Sequence, residues 1–302
     1  ARIYTDQYLA LSRQSGRSSL SETRALLEGQ LMTREGELAE IGFSKEGVTG
    51  YSLESPDGPL TKLLEVSGTI ILRGDDATWT MEPCVQTSVT ALHTYVGGPG
   101  HSGLIAARER ENARSVRTLR GTVRNADGSA ASGVRVHAEG ASDYFARAMS
   151  DDEGAFELTL PPGEDVTLST WRRGDAIVQE SVASDDDNVE IVLGPTGFLD
   201  IGASEGGEAV PVRVQVWPAD GDAPQPQPRW GERGLFAGRM HVVFPGLERA
   251  RLRVPVGDHR VVVSRGPDYE IGLDEIISVA DGDTVVRDVV MQRVVETPGV
   301  MC

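Results

Sequence analysis

Alternating apolar and polar residues predict β-strands through most of the chain. In residues 134–137 and 156–160 every second side chain is apolar, so each segment places one set of side chains on a core face. Acidic runs that end in glycine, at residues 125–128 and 151–154, have the composition of hairpin turns. Residues 117–194 contain about seven such strands, a density typical of a β-sandwich.

The same alternation continues toward the C-terminal end. Apolar residues stand at every second position in residues 210–216 and 252–256. Residues 160–166 and 254–261 share an order of proline, glycine and acid before a strand, which we interpret as the same strand-turn-strand corner in two related modules. We therefore predict a second β-sandwich-like module over residues 195–302, ending in a tail.

Residues 1–97 have a mixed pattern that predicts a small α+β domain. Ser19 begins a capping box, and apolar residues then recur near the helical period as far as Ile41, which predicts a helix. Residues 63–72 and 85–95 are rich in strand-forming side chains and would supply a sheet for this helix.

A domain boundary is predicted after this region. Residues 97–103 are rich in glycine and residues 108–111 are all charged, so we predict a flexible linker over residues 98–116. The glycine-rich run lacks the lysine that ends a phosphate-binding P-loop. The predicted fold class is therefore mainly β, with tandem antiparallel β-sandwich modules and a small α+β N-terminal domain.

The composition limits the partners that the chain can have. Its 302 residues carry a formal net charge of −17, which repels nucleic-acid phosphates and anionic membrane surfaces. The longest apolar runs, such as residues 261–263, are far shorter than the roughly 20 residues that cross a bilayer, so no transmembrane segment is predicted. The chain opens without the basic and apolar regions of a signal peptide, and we expect such a leader to be absent or already removed.

Neither the cysteines nor the histidines have the spacing of a metal site. Cys84 and Cys302 are compatible with one disulfide or none; a buried thiol at Cys84 is the favoured interpretation, and a bridge to Cys302 is the alternative. The five histidines lie far apart without a His-x-His pair, so we expect no locally built metal site and no cofactor within the chain. The strand alternation points His137 and His259 outward, where we expect solvated histidines.

The acidic run at residues 185–188 has two interpretations. Crowded carboxylates can coordinate calcium, but this run lacks the spaced ligands and the distal glutamate of an EF-hand. We therefore favour a solvated acidic turn before the next strand, with calcium binding as the alternative.

No catalytic constellation is apparent along the chain, and no catalytic residue is assigned. A serine in a Gly-x-Ser-x-Gly elbow, for example, does not occur. Trp171, Trp217 and Trp230 are the candidate ligand-contact residues, since exposed indole rings can stack on sugars; packing in a core or at its rim is the alternative for each. Trp230 follows residues 218–229, whose proline, aspartate and glutamine content predicts an exposed loop.

Three motifs within residues 117–194 indicate a family. They are a Gly-x-Val strand at residues 121–123, an acidic turn with Gly-x-Phe at residues 152–156 and a Leu-Pro-x-Gly corner at residues 160–163. Together they resemble the carboxypeptidase regulatory-like domain family, which has a transthyretin-like sandwich fold. This resemblance implies a noncatalytic scaffolding or binding domain over about a quarter of the chain.

The C-terminal end carries a second set of motifs, at residues 254–257, 260–270 and 293–299. They are similar to the β region that precedes the catalytic domain in bacterial metallohydrolases of the polymerase-and-histidinol-phosphatase (PHP) superfamily. In that superfamily a Thr-Pro-Gly segment, here residues 297–299, leads into a strand with the first His-x-His metal ligands. This chain has no His-x-His, so none of the family's metal ligands carries over to a residue present here.

Two hypotheses on function follow. The first, from the resemblance, is a noncatalytic N-terminal β region of a secreted or surface bacterial PHP-type metallohydrolase, which positions the catalytic domain of the same parent protein or engages its substrate. The alternative is a free-standing adhesion or carbohydrate-binding β-sandwich protein that displays the candidate tryptophans. A hydrolase site assembled between residues 1–97 and the sandwiches is a third, less supported reading. We expect a secreted, periplasmic or cell-surface location, and a partner that is a protein or a surface.

Overall fold

The structure is a computed structural model. It describes residues 2–5, 40–45, 48–54, 62–66, 69–73, 84, 93–98, 100–141, 144–227, 230, 232 and 234–295. Within these residues the fold is mainly β, as predicted, and most strand pairs are antiparallel.

The N-terminal region forms one sheet and a separate hairpin. Its strands are β1 Arg2–Thr5, β2 Glu40–Lys45, β3 Val48–Glu54, β4 Lys62–Val66, β5 Thr69–Arg73 and β6 His93–Gly97. The sheet has the order β1-β2-β3-β6, with β1 parallel to β2. The pairing of β4 with β5 confirms strands within residues 63–72. Of the strand predicted over residues 85–95, only residues 93–95 are described, and they belong to β6.

The prediction of an N-terminal helix is wrong at the C-terminal end of that helix. Ile41 lies in β2, where it pairs with Leu53 of β3. Ile41 and Phe43 alternate with small residues, and this period of two suits a strand rather than a helix. Residues 19–39, which make up the rest of the predicted helix, lie outside the described residues.

The first sandwich lies within residues 117–194, as the alternation predicts. Its strands are β7 Arg117–Arg124, β8 Arg135–Glu139, β9 Tyr144–Met149, β10 Ala155–Leu160, β11 Val166–Trp171, β12 Gln179–Val182 and β13 Asn188–Val192. One sheet has the order β10-β7-β13, with β13 parallel to β7, and the other has the order β12-β11-β8-β9. Side chains from both sheets, including Leu119, Val136 and Leu158, are buried in a common core.

The second sandwich follows directly. Its strands are β14 Thr196–Glu205, β15 Glu208–Ala209, β16 Arg213–Pro218, β17 His241–Val243, β18 Ala250–Pro255, β19 Gly257–Ser264, β20 Leu273–Val279 and β21 Thr284–Val290. In one sheet β14 lies between β18 and a parallel β21, and the short β15 pairs with the end of β14. The other sheet has the order β17-β16-β19-β20, and the two sheets enclose a core of their own.

The two sandwiches have the same topology once β15 is set aside. The first strand, β7 or β14, lies between the fourth strand and a parallel last strand, and the facing sheets β12-β11-β8-β9 and β20-β19-β16-β17 match strand for strand. Residues 160–166 join β10 to β11 and residues 254–261 join β18 to β19, which confirms that these corners are equivalent. Gly163 and Gly257 stand at this corner with φ of 75° and 132°, where a side chain would be strained.

The predicted flexible linker over residues 98–116 is largely a helix, α1 Gly100–Glu111, which packs against β3, β6, β9 and β10. Leu104, Ile105 and Arg108 are buried along it. A Cβ on Gly97 would lie 2.4 Å from the Leu104 Cα, so this glycine allows β6 and α1 to approach closely. The glycines here serve packing, which sequence composition does not distinguish from flexibility.

Candidate functional site

The loop between β16 and β17, residues 219–240, reaches from the second sandwich onto the first. Trp230 of this loop is 1% exposed and packs with the core residues of the first sandwich. Its indole stacks on the His137 ring of β8, with ring centroids 4.6 Å apart and planes 8° apart. His137 points away from its own core, as the strand alternation requires, but the loop covers it completely.

A carboxylate from the same loop lies beside this stack. Glu232 Oε1 accepts a hydrogen bond of 3.0 Å from Arg147 Nη1 of β9. The same oxygen lies 3.3 Å from Arg135 Nε and 3.3 Å from His137 Nε2, both on β8. The side chain of Arg147 is fully buried and that of Glu232 is 4% exposed. The two sandwiches therefore share a buried ion cluster, named here the Glu232 cluster: Arg135, His137, Arg147, Trp230 and Glu232.

Burial and charge set the protonation states within the Glu232 cluster. Burial lowers the pKa of His137 to about 4, against the attraction of Glu232, so the imidazole is neutral at pH 7. Burial by itself would raise the pKa of Glu232, but the hydrogen bond with His137 and the charges of Arg147 and Arg135 outweigh it and lower that pKa. Glu232 is therefore an ionised acceptor between two arginines.

A second contact joins the sandwiches at the turn between β11 and β12. Gly174 in this turn has φ of 88°, and a Cβ there would lie 2.2 Å from the Arg253 carbonyl oxygen of β18. The neighbouring Asp175 carboxylate is 2.6 Å from Arg172 Nε and 3.9 Å from Arg253 Nε. Burial raises the pKa of Asp175, although both arginines oppose that effect.

A second buried histidine lies beside this turn. His241 Nε2 is 2.7 Å from the Arg253 carbonyl oxygen, and a Cβ on Gly174 would lie 3.1 Å from the same nitrogen. Burial lowers the pKa of His241 to about 4. Both contacts between the sandwiches thus contain a histidine that is buried in its neutral form.

The Glu232 cluster has the residue types of a catalytic site but not its accessibility. The ring faces of His137 and Trp230 cover each other, and the Glu232 carboxylate is directed at two guanidinium groups. A substrate atom has no open position beside them, and we assign the cluster to structural coupling of the sandwiches. Among the described residues, no group of three or more His, Cys, Asp and Glu side chains could hold a metal ion.

The three candidate tryptophans lie in different surroundings. Trp230 is inside the interface and has no exposed ring face for a ligand. Trp171 is partly buried against the core of the first sandwich. Trp217, on β16 of the second, donates a 2.9 Å hydrogen bond from Nε1 to the Ala237 carbonyl oxygen. Contact with a ligand stays a prediction for Trp171 and Trp217.

Several other expectations need correction. His137 and His259 were expected to be solvated but are 0% and 3% exposed; the first is covered by the loop, and the second binds the Pro255 carbonyl oxygen with its Nε2 at 2.7 Å. Cys84 is an exposed free cysteine, not a buried one, and Cys302 lies outside the described residues.

Two predicted surface segments can also be compared with the structure. The acidic run at residues 185–188 is exposed, and Asp186 Oδ2 accepts a 3.2 Å hydrogen bond from the Ala183 amide, as in a solvated turn. The loop over residues 218–229 is only partly exposed, because Ala223 and Pro226 are buried.

Sequence reasoning did not identify Glu232. Its partner Arg135, together with His137 and Glu139, forms a row of charged or polar residues on one face of β8, a pattern that a solvated strand face also has. The covering residue comes from a loop that lies 85 positions beyond Arg147, and no local pattern connects the two.

No described helix is long and apolar enough to span a bilayer.

Comparisons with known proteins do not assign the chain to a family. No protein-family model matches the chain, and no curated protein matches it. Among solved structures, a streptococcal ancillary pilin is 12% identical, with 96% of this chain and 98% of that chain covered and a TM-score of 0.31. A minor pilin of Streptococcus agalactiae is 14% identical over 61% of this chain and 99% of that chain, with a TM-score of 0.31.

A longer protein is also similar. The TIE protein of Bacillus anthracis is 11% identical, with a TM-score of 0.27 and 82% of this chain covered. The chain spans 43% of the length of that protein. At these identities and TM-scores, the similarities assign no activity and no partner to this chain.

The buried histidines predict how stability depends on pH. The unfolded chain takes up protons on His137 and His241 below pH about 6.5, whereas the folded protein does so only near pH 4, so acid favours unfolding. We expect the free energy of unfolding to fall between pH 6.5 and pH 4, by up to about 3 kcal/mol for each histidine. Urea unfolding at a series of pH values measures it.

The matched variants for this pH series are His241→Gln and, as a control, the exposed His93→Gln. His241→Gln removes one titrating group and should flatten the pH dependence. His93→Gln makes the same substitution at an exposed strand position outside the sandwiches and controls for the change of residue type. A wild-type stability that is constant over this pH range would contradict the burial of neutral histidines at the interface.

Proposed function

We propose that the chain is a noncatalytic binding scaffold of the surface-adhesion type, in which the two sandwiches are held as one rigid unit. The single observation that carries this proposal is the Glu232 cluster. A linker between independently moving domains would be exposed and polar, whereas here a loop of one sandwich is buried against the other. Such coupling fixes the orientation of the surfaces that the second sandwich presents.

The chemistry of the interface supports a scaffold rather than an enzyme. Its carboxylate is directed at two arginines, and its histidines are covered. Buried ion pairs add little net stability compared with apolar packing, but they specify one geometry, because any other leaves a charge unpaired. We interpret the cluster as a device that selects a single orientation of the two sandwiches.

A metallohydrolase parent is the less supported candidate. The PHP resemblance is based on residues 254–257, 260–270 and 293–299, and residues 296–299, which include the Thr-Pro-Gly segment, lie outside the described part of the chain. None of the comparisons adds support for it. The location at a cell surface and the binding of a protein or glycan are likewise proposals.

Distance measurements between the sandwiches test the rigid unit. Spin labels at Val192→Cys and Val286→Cys, two exposed positions on different sandwiches, are placed in a background without native cysteines. Electron-electron double resonance should give one narrow distance distribution for the otherwise unchanged protein. The added changes Trp230→Ala and Glu232→Ala should broaden it.

One outcome of this experiment would contradict the proposal. A broad or bimodal distribution without the Trp230 and Glu232 changes would show that the two sandwiches move independently, and the scaffold proposal would fail. Circular dichroism of each labelled variant controls for loss of the fold.

A further inference from the structure

The second sandwich leaves exposed only part of the face that the interface covers on the first; its centre, Gln215, is 6% exposed and accepts a 3.0 Å hydrogen bond from Arg239 Nη1 of the loop. In both, the third residue of the second strand points outward from the four-stranded sheet: His137 of β8 and Gln215 of β16. Two residues further on, Glu139 corresponds to Trp217. The flanking inward residues, for example Val136 and Val214, are buried in the two cores.

Four side chains define the Phe236 stripe: Phe236, Arg260 and Ile276, which are exposed, and Trp217, which is partly buried. Phe236 is 89% exposed and Ile276 is 65% exposed. The Arg260 guanidinium carbon lies 5.7 Å from the centroid of the Trp217 ring, and Ile276 of β20 is the register partner of Arg260 on β19. Trp217, Arg260 and Ile276 therefore lie side by side on three neighbouring strands, as far as the edge strand β20, and Phe236 belongs to the turn that binds the Trp217 indole.

The turn that carries Phe236 is held in a strained conformation. Ala237 has φ of 56°, which is uncommon for a residue with a side chain. The Phe236 carbonyl accepts a 2.8 Å hydrogen bond from Arg239 Nε, and the Ala237 carbonyl accepts the bond from Trp217 Nε1.

Further bonds hold the flanks of the same turn. The Leu235 amide donates to Gln225 Oε1 at 2.7 Å, and the Gly238 carbonyl accepts from the Ala223 amide at 2.9 Å. Strain of this kind persists where the surroundings determine it, often at binding positions. The turn therefore holds the backbone that carries this apolar ring in place, which lowers the entropy cost of ordering it when a partner binds.

We propose that the Phe236 stripe is the docking surface for a loop of another protein module, one that brings an aromatic side chain and a carboxylate. The stripe continues an interface that already exists, since Trp230 and Glu232 of the same loop dock on the first sandwich and residues 234–238 carry Phe236. This inference rests on the proposed scaffold function and names its class of partner.

The face of the first sandwich shows which chemistry fits. There an indole stacks on the outward row, and a carboxylate binds the arginine that begins the strand, Arg135. Arg213 has the equivalent position on β16, is exposed, and has no ion pair within the described part of the chain. A carboxylate near Arg213 and an aromatic ring on the exposed part of the stripe would make the same two kinds of contact.

A glycan is the less favoured occupant. Stacking of a sugar requires a free indole face, and Arg260 already lies over the Trp217 ring. The equivalent face of the first sandwich is covered by a protein loop. Binding of sugars at the stripe would therefore overturn the proposal.

The test uses a phage-displayed library of disulfide-closed peptide loops, selected against the full chain. Selected loops should be enriched in aromatic and acidic residues. Their Kd should rise at least tenfold for the double variant Phe236→Ser with Ile276→Ser, and severalfold for Arg213→Gln. Val290→Ser, an apolar residue that is 72% exposed on the other sheet, is the matched control and should leave Kd unchanged.

Two results would overturn the inference. One is that no loop is enriched above background, or that enriched loops bind the double variant as tightly as the wild type. The other is a glycan array that shows binding dependent on Phe236. The variants change exposed side chains away from the Glu232 cluster, so the distance distribution between the sandwiches should be unaffected. Failure of the docking proposal can therefore be distinguished from failure of the rigid-scaffold proposal.

Discussion

Glu232→Ala is expected to lower the free energy of unfolding of the coupled sandwiches by about 3–5 kcal/mol. The substitution leaves Arg147, which is fully buried, without the carboxylate that accepts its hydrogen bond. An uncompensated buried charge costs more than the original pair contributes, so the effect should exceed that of any exposed ion pair. Urea unfolding followed by circular dichroism measures the change.

Two matched variants distinguish the stability lost by removing a charge from the stability lost because a buried arginine is left unpaired. Glu157→Ala removes a carboxylate that also pairs with an arginine, Arg120 at 3.1 Å, but both side chains are more than half exposed, and we expect a loss below about 1 kcal/mol. Glu232→Gln keeps the size and an acceptor oxygen while removing the charge, and it should fall between the two. Equal losses for Glu232→Ala and Glu157→Ala would contradict the role of the cluster.

Gly174→Ala is expected to have the second large effect, a loss of roughly 2–5 kcal/mol that originates at the interface. The added methyl group would meet the backbone of Arg253, which belongs to β18 and cannot move without disturbing its sheet. The turn between β11 and β12 would have to withdraw from the second sandwich. Withdrawal would also expose His241 and return its pKa toward the ordinary value, which NMR titration detects.

Gly163→Ala is the control for this experiment. Gly163 has a similar φ of 75°, but a Cβ there would meet no atom within 4 Å. Its substitution therefore reports the backbone strain alone, about 1–2 kcal/mol. If both alanine variants lose the same stability, the close packing of Gly174 on Arg253 makes no separate contribution.

The sandwiches could be predicted because a strand's pattern is local. Alternation with a period of two is visible in residues 156–160. The repeated corner at residues 160–166 and 254–261 predicts two related modules, and the two sandwiches do share one topology. Hairpin turns are likewise encoded by adjacent residues, as at residues 151–154.

The interface could not be predicted, since it depends on contacts between distant residues. The alternation correctly predicted that the His137 side chain points away from its own core. Whether water or protein covers that side chain depends on Trp230, which is 93 positions further along the chain. Composition suggested an exposed loop over residues 218–229, yet Ala223 and Pro226 within it are buried.

The interpretation of glycine was the second reason why predictions from the sequence were wrong. At residues 97–103 it indicated a flexible linker, and the structure instead has Gly97 in close contact with helix α1. A glycine in sequence is compatible with a turn, with flexibility or with close packing, and only the neighbours in space decide among them. The same ambiguity hid the role of Gly174.

The most direct test of the account follows the unfolding of each sandwich separately. Pulse-labelled hydrogen exchange with mass spectrometry, at increasing urea concentration, reports the loss of protection in β7–β13 and in β14–β21 within one sample. In the wild type the two sets of strands should lose protection at the same urea concentration, and in Trp230→Ala with Glu232→Ala their midpoints should separate. Separate midpoints in the wild type would show that the Glu232 cluster does not couple the two sandwiches.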